Sequence, residues 1–397
     1  MVGLLLAGFA AAQTTITIWT HHDLDVRFGD VDTVLFGPFE EANPDIDVEW
    51  RRVGGNYDDQ IIVALAAGVA PDIFVVDGIN VPAWAEQGFI RSIPESVIPW
   101  DVRTDYWPPT LEEMEWEGKL YALGLETNSH VLFYNAVHFE EAGVQPPQYW
   151  EDIPDLARRF TVDLDGDGSF DRWTLEMTQG YGEYGMWILS PWIWQNGGDI
   201  LRDGKIVVDQ AEAVDAVQFL GDLAHQYDAV PLPGQQKFSF FEGGASMNIA
   251  GPFLFGPLDA SGMAWGAAPT PYPRNGQRVS GVGGWHWAVN ANTQHPDEAY
   301  RVMQYLASQP FVELIASSYG TPVRRSVALD NPQYQSGPWQ VAFDQMQHGK
   351  ARPRTPKYPD LTRIMQAAFV SVIVDGVPAR LALENAAREL RALGIGE

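Results

Sequence analysis

The stretch "WTHHD" (19–23) sets two imidazoles and a carboxylate directly after an alternating, β-rich run, "TTITIWT" (14–20). His21 and His22 can donate or accept hydrogen bonds according to tautomer, which suits a ligand rich in hydroxyl groups. A loop pair satisfied by its own surroundings and a metal site are the alternatives. Adjacent side chains diverge on an extended chain, which weighs against the metal. A second stretch, "GGWHWAVN" (283–290), leaves a glycine turn as a strand, so Trp285 and Trp287 share one face and His286 takes the other. Trp285 is either a stacking platform or core; Trp287, farther along, reads as core, and His286 is a hydrogen-bonding candidate on the opposite face. Asp77 closes the apolar run "PDIFVVDG" (71–78), where a carboxylate could accept several hydroxyl groups or simply cap a turn beside Gly78. One motif has ion chemistry. In "DLDGDGSFD" (163–171), Asp163, Asp165, Asp167 and Asp171 stand at alternate EF-hand-like positions, with Gly168 at the turn and the Ser169 carbonyl beside it. Thr174 stands where the closing bidentate glutamate belongs, so a structural calcium and an acidic surface turn both remain open.

The elements around these residues alternate. Residues 14–20, 46–53 and 71–78 read as strands, with helical spacing over 31–42 and 57–68 between them. Strands separated by helices imply an α/β lobe with parallel pairing. Further strands at 118–126 and 130–135 lead into helices at 149–160, 181–198 and 211–226. A strand from 286 and a run of amphipathic helices finish the chain. Ligands in open α/β sheets sit beyond the carboxyl ends of strands, which is where "WTHHD" and Asp77 fall.

Composition narrows the function. A chain of 397 residues with 46% hydrophobic content supports two lobes with sizeable cores. A net charge of −27 opposes nucleic acid and anionic lipid as partners. The absence of cysteine excludes disulfides, thiolate metal sites and a cysteine nucleophile. Fifteen tryptophans and fourteen tyrosines fit either a ligand that stacks or a large aromatic core. The opening "MVGLLLAGFAAAQTT" is expected to be a signal peptide over 1–12, cleaved before Gln13 and delivering the protein to a periplasmic space.

Six segments taken in order carry a family resemblance: "ITIWT…FGPFEEANPDIDVEW", "ALAAGVAPDIFVVD", "EGKLYALG…LFYNAVHFEEAGVQPPQYWEDI", "WQNGGDIL", "FFEGGASMNIAGPF" and "HPDEAYRVMQYLAS". Together they resemble the extracellular solute-binding proteins of ABC sugar importers, the group that contains maltose-binding protein. Gly124 and Tyr149 depart from the residues common there, both at positions that read as structural.

The resemblance implies an α/β, two-lobed periplasmic-binding-protein-like fold of type II, each lobe a sheet flanked by helices, with the ligand cleft between lobes. Mapped here, lobe 1 would hold 13–126 plus 286–322 and lobe 2 would hold 130–282 plus 327–397. The hinge would fall near 127–129, 283–285 and 323–326. Asp77 then matches a sugar-facing carboxylate, Tyr184 and Trp187 match second-lobe aromatics, and Phe253 in "AGPF" matches an aromatic that stacks on a sugar ring. Asn128 at the first crossing is a ligand contact or a crossover turn, and Trp285 is drawn to the cleft floor. The resemblance further implies a sugar ligand and membrane permease subunits as partners. The large aromatic count favours a di- or oligosaccharide over a monosaccharide. No nucleophile elbow, H-E-x-x-H or phosphate-binding glycine loop points to catalysis, and no required cofactor and a monomer are expected. A non-sugar solute such as a polyamine or iron, and a glycosidase built on Asp23, Asp77 and Glu126, are the competing expectations.

Overall fold

The computed structural model describes residues 13–319 and 321–396; the expected signal peptide lies outside the described residues. Strands β1 (Thr14–Thr20), β2 (Ile46–Arg52) and β3 (Ile73–Asp77) lie in parallel, with helix α1 (Tyr57–Ala67) crossing from β2 to β3. Ile16 and Ile18 of β1 are fully buried, and β3 is buried along "IFVV", as a central strand covered on both faces should be. Helix α2 (Pro108–Met114) then packs near the short strand β4 (Ala122–Gly124).

The chain next builds a second sheet from β5 (Val131–Asn135), β6 (Trp173–Glu176), β7 (Ala245–Ala250) and β8 (Trp265–Ala268), in the order β8-β5-β7-β6. Helices α3 (Gly182–Gln195) and α4 (Ala211–His225) lie between β6 and β7 in sequence. It returns through β9 (Ser280–Val282) to β10 (Trp285–Val289), which joins the first sheet in the order β2-β1-β3-β10-β4. Parallel pairing was the expectation, but β10 runs antiparallel to both β3 and β4, because it enters the sheet from the other lobe. Helix α5 (Gln309–Tyr319) finishes the first lobe, and β11 (Gly349–Ala351), α6 (Tyr358–Ile373) and α7 (Ala379–Ala392) complete the second.

Two large cores follow this division. One gathers β1–β4, β10 and α5; the other gathers α3, α4, α6 and α7 around the second sheet. Two local readings change. The helix expected over 31–42 is a π-helical turn at Asp32–Phe36 followed by an α-helix at Gly37–Ala42, because Pro38 cannot donate to a continuous ladder. The third crossing falls later than 323–326: Val327 still packs in the first core, and Trp339 is the first residue beyond it to pack on the cluster that holds Val131 and Phe133 of β5. Asp105 of the first lobe accounts for the shift, since it accepts hydrogen bonds from Arg324 Nε (2.7 Å) and the Ser326 amide (2.9 Å). No helix among the described residues is long and apolar enough to cross a membrane.

Candidate functional site

The crossings run close together. The Asn128 amide donates to the Gly283 carbonyl at 2.9 Å and Gly283 donates back at 3.3 Å, bridging the first two passages. The glycines of "GGWHW" are needed there. A Cβ on Gly283 would lie 2.9 Å from Arg352 Nη2, and one on Gly284 would be driven into the Glu126 carbonyl oxygen. Above this floor, between the two sheets, is a cavity of about 480 Å³, within the range that holds small-molecule ligands.

From the first lobe, the turn after β1 supplies His21, His22 and Asp23. His22 Nδ1 lies 3.0 Å from Thr20 Oγ1, and its Nε2 lies 3.7 Å from Glu126 Oε1. His21 packs its ring against Trp285, with centroids 4.1 Å apart. Burial, then the neighbouring His22 and Arg52, lower its pKa to about 3, so its imidazole is neutral at physiological pH. Burial would raise Asp23, but hydrogen bonds from Arg27 Nε (2.8 Å) and the Tyr319 hydroxyl (2.7 Å) prevail and hold it at about 2.

The register of β3 and β10 explains the next pair. Trp285 stands directly opposite Asp77, so both project from the same face, toward the cavity. His286 stands opposite Val76 and takes the other face, where it is 0% exposed and its Nε2 lies 3.4 Å from Glu113 Oε2 on α2. His286 therefore does not line the cavity, which corrects its place among the candidate contacts. Trp287 returns to the Trp285 face but lies one layer deeper, fully buried in the first core.

The second lobe answers with aromatics. Tyr184, 45% exposed, and Phe253, 40% exposed, flank the edge of Trp187 with ring centroids 5.9 and 6.1 Å from it. Trp187 itself is 7% exposed, and its indole N–H is buried without a partner beside the cavity. Asn128 Oδ1 is in the same condition. The structure thus gathers His21, His22, Asp77, Asn128, Tyr184, Trp187, Phe253 and Trp285 around one cavity.

What sequence reasoning missed is the ionic centre below them. Arg352, just after β11, has a side chain 4% exposed and reaches Asp77 Oδ1 (2.7 Å), Glu183 Oε1 (3.0 Å) and Glu113 Oε1 (3.4 Å). Asp77 and Glu113 belong to the first lobe and Glu183 to α3 of the second, so one guanidinium ties the lobes together. Glu183 also accepts from the Tyr358 hydroxyl (2.5 Å) and Thr362 Oγ1 (2.7 Å). Burial raises the pKa of Asp77 and Glu183 against the pull of Arg352, while the three carboxylates hold Arg352 itself well above its usual value.

The aspartate loop lies apart from the cavity. Asp163, Asp165 and Asp171 each bring a carboxylate oxygen within 4.8 Å of the others. Asp163 accepts the Gly166 and Gly168 amides (2.7 and 2.9 Å), and Asp167 accepts the Ser169 amide (2.8 Å). Lys237 Nζ donates to Asp167 (3.1 Å) and Asp171 (2.8 Å), so an ammonium group supplies that pair with its counter-charge.

Two α/β lobes with separate cores, joined by crossings that run side by side beneath a cavity between them, define the two-lobed solute-binding fold of type II. The chain belongs to the bacterial extracellular solute-binding protein family, whose model matches residues 29–311. The maltotriose-binding protein of Pyrococcus abyssi is 22% identical over 375 residues, covering 91% of this chain and 78% of that protein. Among solved structures, the cyclic alpha-maltosyl-1,6-maltose binding protein from Arthrobacter globiformis superposes with a TM-score of 0.82 at 21% identity, covering 96% of this chain and 99% of that one. UgpB from Mycobacterium tuberculosis in complex with glycerophosphocholine superposes with a TM-score of 0.81 at 20% identity, covering 96% and 98%.

Proposed function

We propose that this protein captures a saccharide of two or more rings in the interlobe cavity and delivers it to an ABC import permease, without chemically altering it. The observation that carries this reading is the pairing of aromatic surfaces across the cavity, Trp285 on one lobe and Tyr184, Trp187 and Phe253 on the other, edged by carboxylates. The axial C–H face of a pyranose is apolar and stacks on aromatic rings, while its equatorial hydroxyls need acceptors such as Asp77 and Asn128. A saccharide touching both lobes would favour the closed form, because a ligand shifts an equilibrium only through its differential affinity for the two states. The relatives named for maltotriose and cyclic maltosyl-maltose support an oligosaccharide as cargo. In this reading the chain is exported, works as a monomer on the outer side of the membrane, and docks on the permease in its closed form.

A thermal-shift screen of mono-, di- and oligosaccharides tests the proposal, with a polyamine and ferric iron as controls. A ligand at a hundred times its dissociation constant adds about 2.7 kcal/mol of apparent stability. A saturable rise with one sugar series supports the reading, and a flat sugar panel with a rise from a control overturns it. Incubation with the bound oligosaccharide should release no shorter product.

A further inference from the structure

The charges lining the cavity do not balance. Its walls carry the carboxylates of Asp23, Asp77, Glu126 and Glu183 against the guanidinium groups of Arg27, Arg52 and Arg352. The arginines are already engaged. Arg27 donates to Asp23 (2.8 Å) and the Ser318 carbonyl (2.6 Å) and lies over the Tyr319 ring. Arg352 is enclosed by Asp77, Glu183 and Glu113. Arg52 stands at the half-exposed rim, 3.6 Å from Asp25.

Asp23, Asp77 and Glu183 are held by those arginines, which leaves Glu126 as the carboxylate without one. Glu126 has His22 Nε2 at 3.7 Å, longer than a hydrogen bond. Outside the cavity lining, Asp58 has a buried oxygen without a partner, and burial together with the charges of Asp77, Asp59 and Glu183 lifts its pKa to about 6. The imidazole of His21, lowered to about 3, adds no positive charge. The unpartnered buried groups on the wall are neutral dipoles: the Trp187 indole N–H, a donor, and Asn128 Oδ1, an acceptor, each on a residue more than nine-tenths buried.

We infer that the cavity selects its solute by charge: it accepts saccharides that carry no negative charge and rejects sugar phosphates, aldonic acids and glycerophosphodiesters, with Glu126 as the principal determinant. An anion would enter a site that already has more carboxylates than cations and has no uncommitted guanidinium on its inner wall. In such a partly desolvated site, Coulomb repulsion is several times stronger than in bulk water. A neutral polyol meets no such penalty and can satisfy the two open dipoles. The inference rests on the saccharide reading and sharpens it, since the structurally similar UgpB is described in complex with glycerophosphocholine.

The test is calorimetric titration at low ionic strength with matched pairs, trehalose against trehalose 6-phosphate and maltose against maltobionate, together with glycerophosphocholine. The charged member of a binding pair should bind at least about tenfold more weakly. Glu126→Gln should narrow that ratio, and added salt should narrow it in the wild type; a merely structural role for Glu126 would leave the ratio unmoved. Equal or tighter binding of the charged member overturns the charge selection while leaving the saccharide reading intact. Binding of glycerophosphocholine with no response to any sugar overturns both. Inorganic phosphate supplies an arm that needs no sugar. A saturable rise in melting temperature, abolished by Arg52→Gln, contradicts the inference. A response no greater than that to chloride at equal ionic strength supports it even where every sugar fails, and in that case only the saccharide reading falls.

Discussion

Replacing Arg352 by methionine keeps most of the length of its apolar stem and removes the one charge that Asp77, Glu113 and Glu183 share. The Glu113 side chain is only 2% exposed and that of Asp77 only 14%, so water cannot take over the guanidinium's role. Removing one partner of a buried ion pair typically costs about 3–5 kcal/mol, and Arg352→Met should fall in that range. The loss should depend on pH in a definite direction. Without the cation, the pKa values of Asp77 and Glu183, already raised by burial, rise farther above their unfolded values. A carboxyl whose folded pKa is raised binds more protons in the native state, so its contribution is present at low pH and is lost as pH climbs through the folded pKa. The variant should therefore be closest to wild type near pH 5 and farthest from it near pH 8. Urea unfolding followed by far-UV circular dichroism at both pH values measures this directly. Adding Glu113→Gln, which removes the most deeply buried of the three negative charges, should restore about 1–2 kcal/mol. A loss below about 1 kcal/mol, or one of equal size at both pH values, would refute the view that Arg352 neutralises a buried carboxylate centre.

Other expectations follow from single contacts. Asp58→Asn should raise stability at neutral pH by about 1–2 kcal/mol after allowing for solvent screening, with the advantage fading as pH falls from 6 toward 4, because the native aspartate already binds a proton there; unfolding across that range checks the sign. Gly284→Ala should destabilise by about 3 kcal/mol or more, or reduce soluble yield, because its methyl would collide with the Glu126 backbone where the crossings touch. Calcium added to chelator-treated protein should leave the melting temperature unchanged while Lys237 holds Asp167 and Asp171, and Lys237→Gln should make it calcium-responsive; a calcium-dependent rise in the wild type would mean that the ion displaces the lysine.

The parts of the site legible in the sequence are those governed by short-range periodicity. The strand-end positions of His21, His22 and Asp77 follow from apolar runs ending in polar residues, and the opposite faces of Trp285 and His286 follow from the strand's period of two. That same period should have removed His286 from the candidates, since the face opposite a cavity in a sheet covered on both sides is core. Burial of Trp187 to 7% with Tyr184 left half-exposed reflects packing by distant segments, with the rings of His130 at 4.3 Å and Phe253 at 6.1 Å, which no local spacing encodes. Arg352, Glu183 and Tyr319 arrive from distant segments, and Arg352 in "KARPRTP" looks like any surface cation until the third crossing carries it under the cavity. The displaced third crossing has the same origin, since Asp105 holds Arg324 and Ser326 across more than two hundred residues of chain.

The most direct test of the account is titration calorimetry of a maltotriose-type oligosaccharide series into the wild type and Trp285→Ala side by side. Trp285 lines the cavity with its ring packed on that of His21, and losing one such aromatic face should weaken binding by about 1–3 kcal/mol, roughly 5- to 150-fold. The account predicts one-to-one binding to the wild type and that loss in the variant, with the melting temperature of the ligand-free protein little changed. No binding by any saccharide, or unaltered affinity with a lowered melting temperature, would contradict the account and return Trp285 to the core.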